Sequence, residues 1–240
     1  MSRKITHEAQ AFPQGLFVAQ SNQQANLGIK AVSDNGEVFR LVKAGASALV
    51  AGTLQQAPAI VANHQDVAVA VAASIGAEEV TVTLGATAAT LDQYAGGLLV
   101  VNDADGQGFS YRIDANPAAD ASGALLVKLD DKLEEALTTS SQVCLIPNIY
   151  NGVIINPATP SNVPVGVAIK DIPAGEFGWI QTRGPVSCLN DSGTAVGLGL
   201  APSDAVAGAL ETVAATTNQV ASALQAGVDT ESRAVFLQID

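Results

Sequence analysis

The sequence predicts an all-β protein with little helix, and three observations predict it. A hairpin pattern recurs three times, apolar residues alternate with small or polar ones at a period of two, and Gly, Pro, Asn and Asp gather between those runs. The clearest case is Val165 to Arg183. Val165, Val167 and Ile169 alternate with Gly166 and Ala168, Pro173-Ala174-Gly175 turn the chain, and Phe177 and Trp179 lead out to Gln181, Thr182 and Arg183. Near the start, Leu27 to Val32 is answered across Asp34-Asn35-Gly36 by Glu37 to Val42. At the end, Val220 to Leu224 is answered across Gly227 by Ala234 to Ile239.

From Asp66 the texture changes. Val67, Val69 and Val71 alternate with Ala, and Val80 to Leu84 alternates again with β-branched residues. Strands are expected at Gly97 to Val101, Phe109 to Ile113 and Ala124 to Leu129. Residues 66–141 therefore read as an antiparallel β subdomain inserted into a hairpin-rich β-barrel or sandwich made of 25–65 and 142–240, preceded by an N-terminal arm, 1–24. Leu133 and Leu137, four apart, suit either one helical turn or a solvated turn over Asp130 to Thr138. Ser203 is placed to cap a helix, but Gly208 and the Thr-rich exit favour strand over Ala205 to Thr216.

Composition narrows the function classes. Charged residues are 14% and hydrophobic residues 48%, with aromatics at only 4%. Cores built from Ala, Val, Gly and Leu pack thinly, so part of the apolar surface is expected to be buried between subunits. The formal net charge of −12 leaves no continuous basic track for phosphates, which argues against a nucleic-acid partner. No run of about twenty apolar residues suggests a membrane span. The start, MSRKITHEAQ, lacks an apolar signal region, and synthesis in the cytosol is expected.

Reactive constellations are not found. Asp103-Ala104-Asp105-Gly106 resembles the opening of a calcium loop, yet the next ligand position holds Gln107 and Asp-Gly is a common hairpin turn. His7 and His64, with Cys144 and Cys188 far apart in sequence, offer no transition-metal spacing. Both cysteines lie in strand-like runs and read as free thiols in a chain without a secretion signal, with a disulfide between them as the alternative that the sequence leaves open. There is no Gly-x-Ser-x-Gly elbow and no phosphate-cradling loop, and the pairs Asp130-Asp131 and Glu134-Glu135 crowd a turn. No catalytic residue, metal or cofactor is expected, and the chain does not read as an enzyme.

The residues expected at an interface are Phe12, Phe39, Tyr150, Trp179 and Arg183, aromatic and Arg positions of the kind that anchor protein contacts. Trp179, the one Trp, fits core packing as well as an interface anchor.

Four runs carry a resemblance: Gly36 to Gly52, Ala86 to Gly97, Ile146 to Val153, and Gly178 to Gly184. They resemble virion structural proteins of tailed bacteriophages, and within that group capsid decoration, or cement, proteins. The resemblance implies a β-rich homotrimer on the exterior of an icosahedral head, made in the host cytoplasm and binding the major capsid protein. The alternative it leaves open is a head fibre or tail component that binds host-surface glycans.

Overall fold

The computed structural model describes residues 15–214 and 217–240. In chain order the strands are β1 (Lys30–Val32), β2 (Val38–Ala44), β3 (Leu54–Gln56), β4 (Val67–Val71), β5 (Glu79–Thr83), β6 (Leu98–Asp103), β7 (Ser110–Ala115) and β8 (Ala124–Leu129). They continue as β9 (Gln142–Ile146), β10 (Asn151–Ile155), β11 (Pro164–Ala168), β12 (Phe177–Leu189), β13 (Gly199–Pro202), β14 (Leu210–Thr212), β15 (Ala221–Ala223) and β16 (Ser232–Gln238). One 3-10 turn, Ala62–His64, is the helical element among the described residues, and no helix there is long and apolar enough to cross a membrane. The all-β expectation holds. The chain forms two compact units: Ala59–Asn148 is the smaller, and the flanking segments, through Pro58 and from Ile149, form the larger.

The larger unit is organised by β12, a strand of 13 residues. Its first half pairs with β2, Trp179 opposite Leu41, and with β11, Ala168 opposite Ile180. Its second half pairs with β16, from Arg183 opposite Gln238 to Leu189 opposite Ser232. Parallel pairing of β2 with β10, and antiparallel pairing of β10 with β3 and β3 with β11, bring the sheet back round, so β2, β10, β3, β11 and β12 close on one another. Beyond β16 the sheet continues through β15 and β13 to β14. Residues 177–182 are buried at every position because both faces of β12 are covered. Ile180 packs with Val42, Val153, Val165 and Ile172, while Trp179 packs with Ala31, Phe39 and Leu41. A third core joins Cys188, Leu200, Val235 and Leu237 to Leu54 and Val167 of the closed ring.

Where β12 changes partners the ladder is irregular. Its register against β2 slips between Gln181 and Arg183, and Gly184 has φ +98°, a conformation that costs an L side chain. Gln181 is buried and its Nε2 donates to the carbonyls of Arg183, at 3.0 Å, and Pro185, at 2.9 Å. The buried Gln181 amide thus donates to two carbonyls of the bulge, where a buried donor without a partner would cost about 1–3 kcal/mol.

The smaller unit is a closed six-stranded barrel in the order β4-β5-β8-β7-β6-β9. Alternate residues point inward as the β period requires, among them Val69, Val80, Val82, Leu99, Val101, Ile113, Leu125, Val127, Val143 and Leu145. Leu133 and Leu137 form no helix. Both are fully buried, and Leu137 bridges Ala73, so the loop after β8 reaches the barrel's core. His64 is buried too: Nε2 lies 2.8 Å from the Thr87 carbonyl, which can only accept, so Nε2 donates there, and Nδ1 pairs with the Tyr94 hydroxyl. Burial pushes the Tyr94 phenol up to about 12.

Several expectations meet different geometry. Residues 142–146, read with the outer segments, lie in the smaller unit, because β9 closes the barrel with Val67 opposite Val143 and Leu99 opposite Leu145. Ser203 does cap, its Oγ accepting from the N–H groups of Ala205 and Val206, but it caps a turn: Gly208 at φ +75° ends any helical path and only 210–212 is strand. Of the segment read as an arm, residues 1–14 lie outside the described residues, and Gln20 pairs with Phe177 of the same chain. Cys144 and Cys188 are both free.

Two substitutions test this packing. Trp179→Ala is expected to lower the unfolding free energy of the larger unit by about 3–5 kcal/mol in urea. Gly166 has φ +152°, and an added Cβ would stand 2.6 Å from the Gln181 carbonyl oxygen. Gly166→Ala is expected to cost about 1–3 kcal/mol by the same measurement, and wild-type stability for either variant would contradict the packing described.

Candidate functional site

The expected interface residues are scattered. Phe12 lies outside the described residues. Phe39 and Trp179 are 3% and 1% exposed, so both rings are enclosed by the core of the larger unit and present no anchor to a partner. Arg183 is exposed. Tyr150 is half-buried against Gly28, with the Arg40 guanidinium 5.9 Å from its ring centroid. Phe39 and Arg40 are neighbours on β2 with opposite fates, as the alternation of a strand dictates.

Arg40 is itself the centre of a polar cluster. Its Nε and Nη2 donate to the two carboxylate oxygens of Asp240, at 2.7 and 2.9 Å, and Nη1 donates to the Gly28 carbonyl at 2.8 Å. Thr182 Oγ1 adds a donor to the same carboxylate at 3.1 Å. A forked guanidinium–carboxylate pair of this kind is the strong, geometrically specific form of ion pair. It holds the Asp240 carboxyl below the usual carboxylate range, with Arg40's hydrogen bonds as the largest cause.

A different part of the larger unit presents apolar surface. The loops at 194–198 and 223–227 run side by side as a ribbon: Thr194 and Gly227 exchange backbone hydrogen bonds, the Gly197 N–H donates to the Ala223 carbonyl, and the Ala223 N–H donates to Leu198. Val196, Leu198, Leu224 and Val228 stand on this ribbon, exposed at 62%, 43%, 48% and 61%. Close by, a Cβ on Gly227 would stand 2.6 Å from Arg233 Nη1. Arg233 lies opposite Cys188 on β16 and is buried, and its three guanidinium nitrogens have no hydrogen-bond partner among the described residues. Burial pushes its pKa down. A cation withdrawn from water without an acceptor is costly, and with its nitrogens sealed from the surface Arg233 belongs to the interior and not to the exposed apolar ribbon.

No sequence signal marked this ribbon, because exposure of a valine in a Gly-rich loop depends on which loop lies beside it. Among the described residues no group of three or more His, Cys, Asp or Glu side chains is placed to hold a metal ion. The Cys188 thiol is pushed up to about 12 by burial, which makes it a poor nucleophile at neutral pH.

No protein-family model matches the chain, and no curated protein matches it. Among solved structures there is a likeness to one class of molecule, a structural part of a bacteriophage head. That structure is the N base of the head fiber gp8.5 of bacteriophage phi29, 13% identical, matched over 68% of this chain and 96% of that one at a TM-score of 0.28. Such a slight likeness carries no argument about function.

The Arg40–Asp240 pair yields a pH prediction. A carboxylate held below its unfolded value, about 3.9, contributes stability that is fully present above that pH and is lost as pH falls through the depressed folded value. Resistance to urea unfolding is therefore expected to weaken below about pH 4. Asp240→Asn should lower stability at pH 6 and flatten the acid limb; an unchanged acid limb in that variant would contradict the pairing.

Proposed function

We propose that this chain is a non-enzymatic virion structural protein that binds the outside of an icosahedral phage head and stabilises the lattice of the major capsid protein, as a homotrimer. What carries this reading is the ribbon on the larger unit. Four exposed apolar side chains on paired loops match a protein partner that brings apolar groups to the contact. The sequence runs that resemble cement proteins add to it: Gly36 to Gly52 contains β2, and Gly178 to Gly184 lies on β12, strands that pair with each other.

The mechanism needs no reaction. A protein that binds the expanded shell and not its precursor stabilises the expanded state by mass action. A stiff unit suits this, since a clamp transmits load only if its own core does not yield. The double coverage of residues 177–182 supplies that stiffness.

The test is co-sedimentation of the purified chain with expanded empty capsids that lack it, with light scattering on the free chain. Binding to the shells and a mass of three chains are expected. Val196→Asp combined with Leu224→Asp should weaken capsid binding about tenfold or more while leaving the far-ultraviolet spectrum unchanged. A parent chain that does not sediment with expanded shells would overturn the reading.

A further inference from the structure

We propose that the smaller unit carries a saccharide-binding groove built around Phe109. The inference rests on the geometry of this barrel alone and stands apart from the capsid reading. The groove has a volume of about 480 Å³, within the roughly 300–1,000 Å³ typical of small-molecule sites. Asp105, Gln107, Phe109, Glu135 and Thr138 line it.

Its parts match the two demands a sugar makes. A pyranose presents a face of C–H groups, for which an aromatic face is a good neighbour, and a rim of hydroxyls, which carboxylates and amides bind through directed hydrogen bonds. Phe109 is 39% exposed at the lip of an otherwise well-filled barrel. Its ring runs nearly parallel to that of Tyr111, 9° apart with centroids separated by 6.2 Å, and Tyr111 is buried. The Tyr111 hydroxyl in turn accepts from the Glu134 N–H at 3.1 Å, which ties the aromatic pair to the loop bearing Glu135. Asp105, Gln107 and Glu135 supply polar groups around the exposed ring.

The groove is also held in shape before any ligand arrives. Thr138 Oγ1 donates to Asp105 Oδ2 at 2.9 Å, and Ser141 Oγ donates to the Asp105 carbonyl at 2.8 Å, so the two lining loops are pinned to each other. The turn itself is set by residues with positive φ, Ala104, Gly106 and Gly108, and a Cβ on Gly106 would stand 2.5 Å from Leu137 Cδ2. Preorganisation of this sort lowers the ordering cost that weak sugar ligands can least bear. A metal is a poorer fit, because the described carboxylates here do not gather in threes.

The test is calorimetric titration of the full chain with three neutral tetrasaccharides, cellotetraose, maltotetraose and chitotetraose, at millimolar sugar, with amide NMR shifts recorded alongside. One of them is expected to saturate at one site and shift the amides of Gln107, Phe109 and Glu135. Phe109→Ala should weaken that binding about tenfold, and Phe109→Trp, which keeps an aromatic face, should stay within about threefold of the parent. Saturation by none of the three, or unchanged affinity in a folded Phe109→Ala, would overturn the proposal. Capsid co-sedimentation is expected to be the same for Phe109→Ala and the parent, so the two readings fail separately.

Discussion

The larger unit depends on one strand serving two parts of a single sheet. β12 closes a ring with β2 and β11 through its first half and carries the sheet on to β16 through its second. A strand that changes partners along its length must break register somewhere, and a broken register leaves backbone groups that need new partners. Gly184 gives the turn of backbone and Gln181 gives the donors. Gln181 is thus a buried polar residue with a stated task, and Trp179 beside it fills the outer face over β2.

Local signals in the sequence led reliably to local structure. The three hairpins are present, because Asp34-Asn35-Gly36 and Pro173-Ala174-Gly175 are turn chemistry and the flanking alternation is a strand period. What lay beyond reach was pairing between distant segments. The parallel ladder of β2 with β10, and the passage of β12 through Gly184-Pro185, which reads as punctuation, are decided by tertiary contacts. Leu133 and Leu137 make the same point. Their spacing suited a helix, but what places them is the mouth of a barrel that needed filling.

The candidate sites were less legible still. Phe39 and Trp179 were attractive as anchors because of their residue type, and the same apolar area that makes such residues good anchors takes them into the core when a core is near. The surfaces that remain open are made of residues with no distinguishing type, such as Val196 and Leu224, or of a residue at a strand's edge, such as Phe109. Phe109 shares a face with Tyr111 and Ile113 by alternation, yet only it lies past the barrel's rim, a matter of strand length against loop length.

Amide hydrogen exchange on the full chain tests the central role of β12 most directly. If one strand locks the ring and the rest of the sheet together, the amides of β12 on both sides of Gly184 and those of Val235 and Leu237 on β16 should exchange slowest and at a common free energy, that of unfolding the larger unit. If β16 and the second half of β12 exchanged at a clearly lower free energy than residues 177–182, the ring and the open part of the sheet would be separate folding units and the account would be wrong.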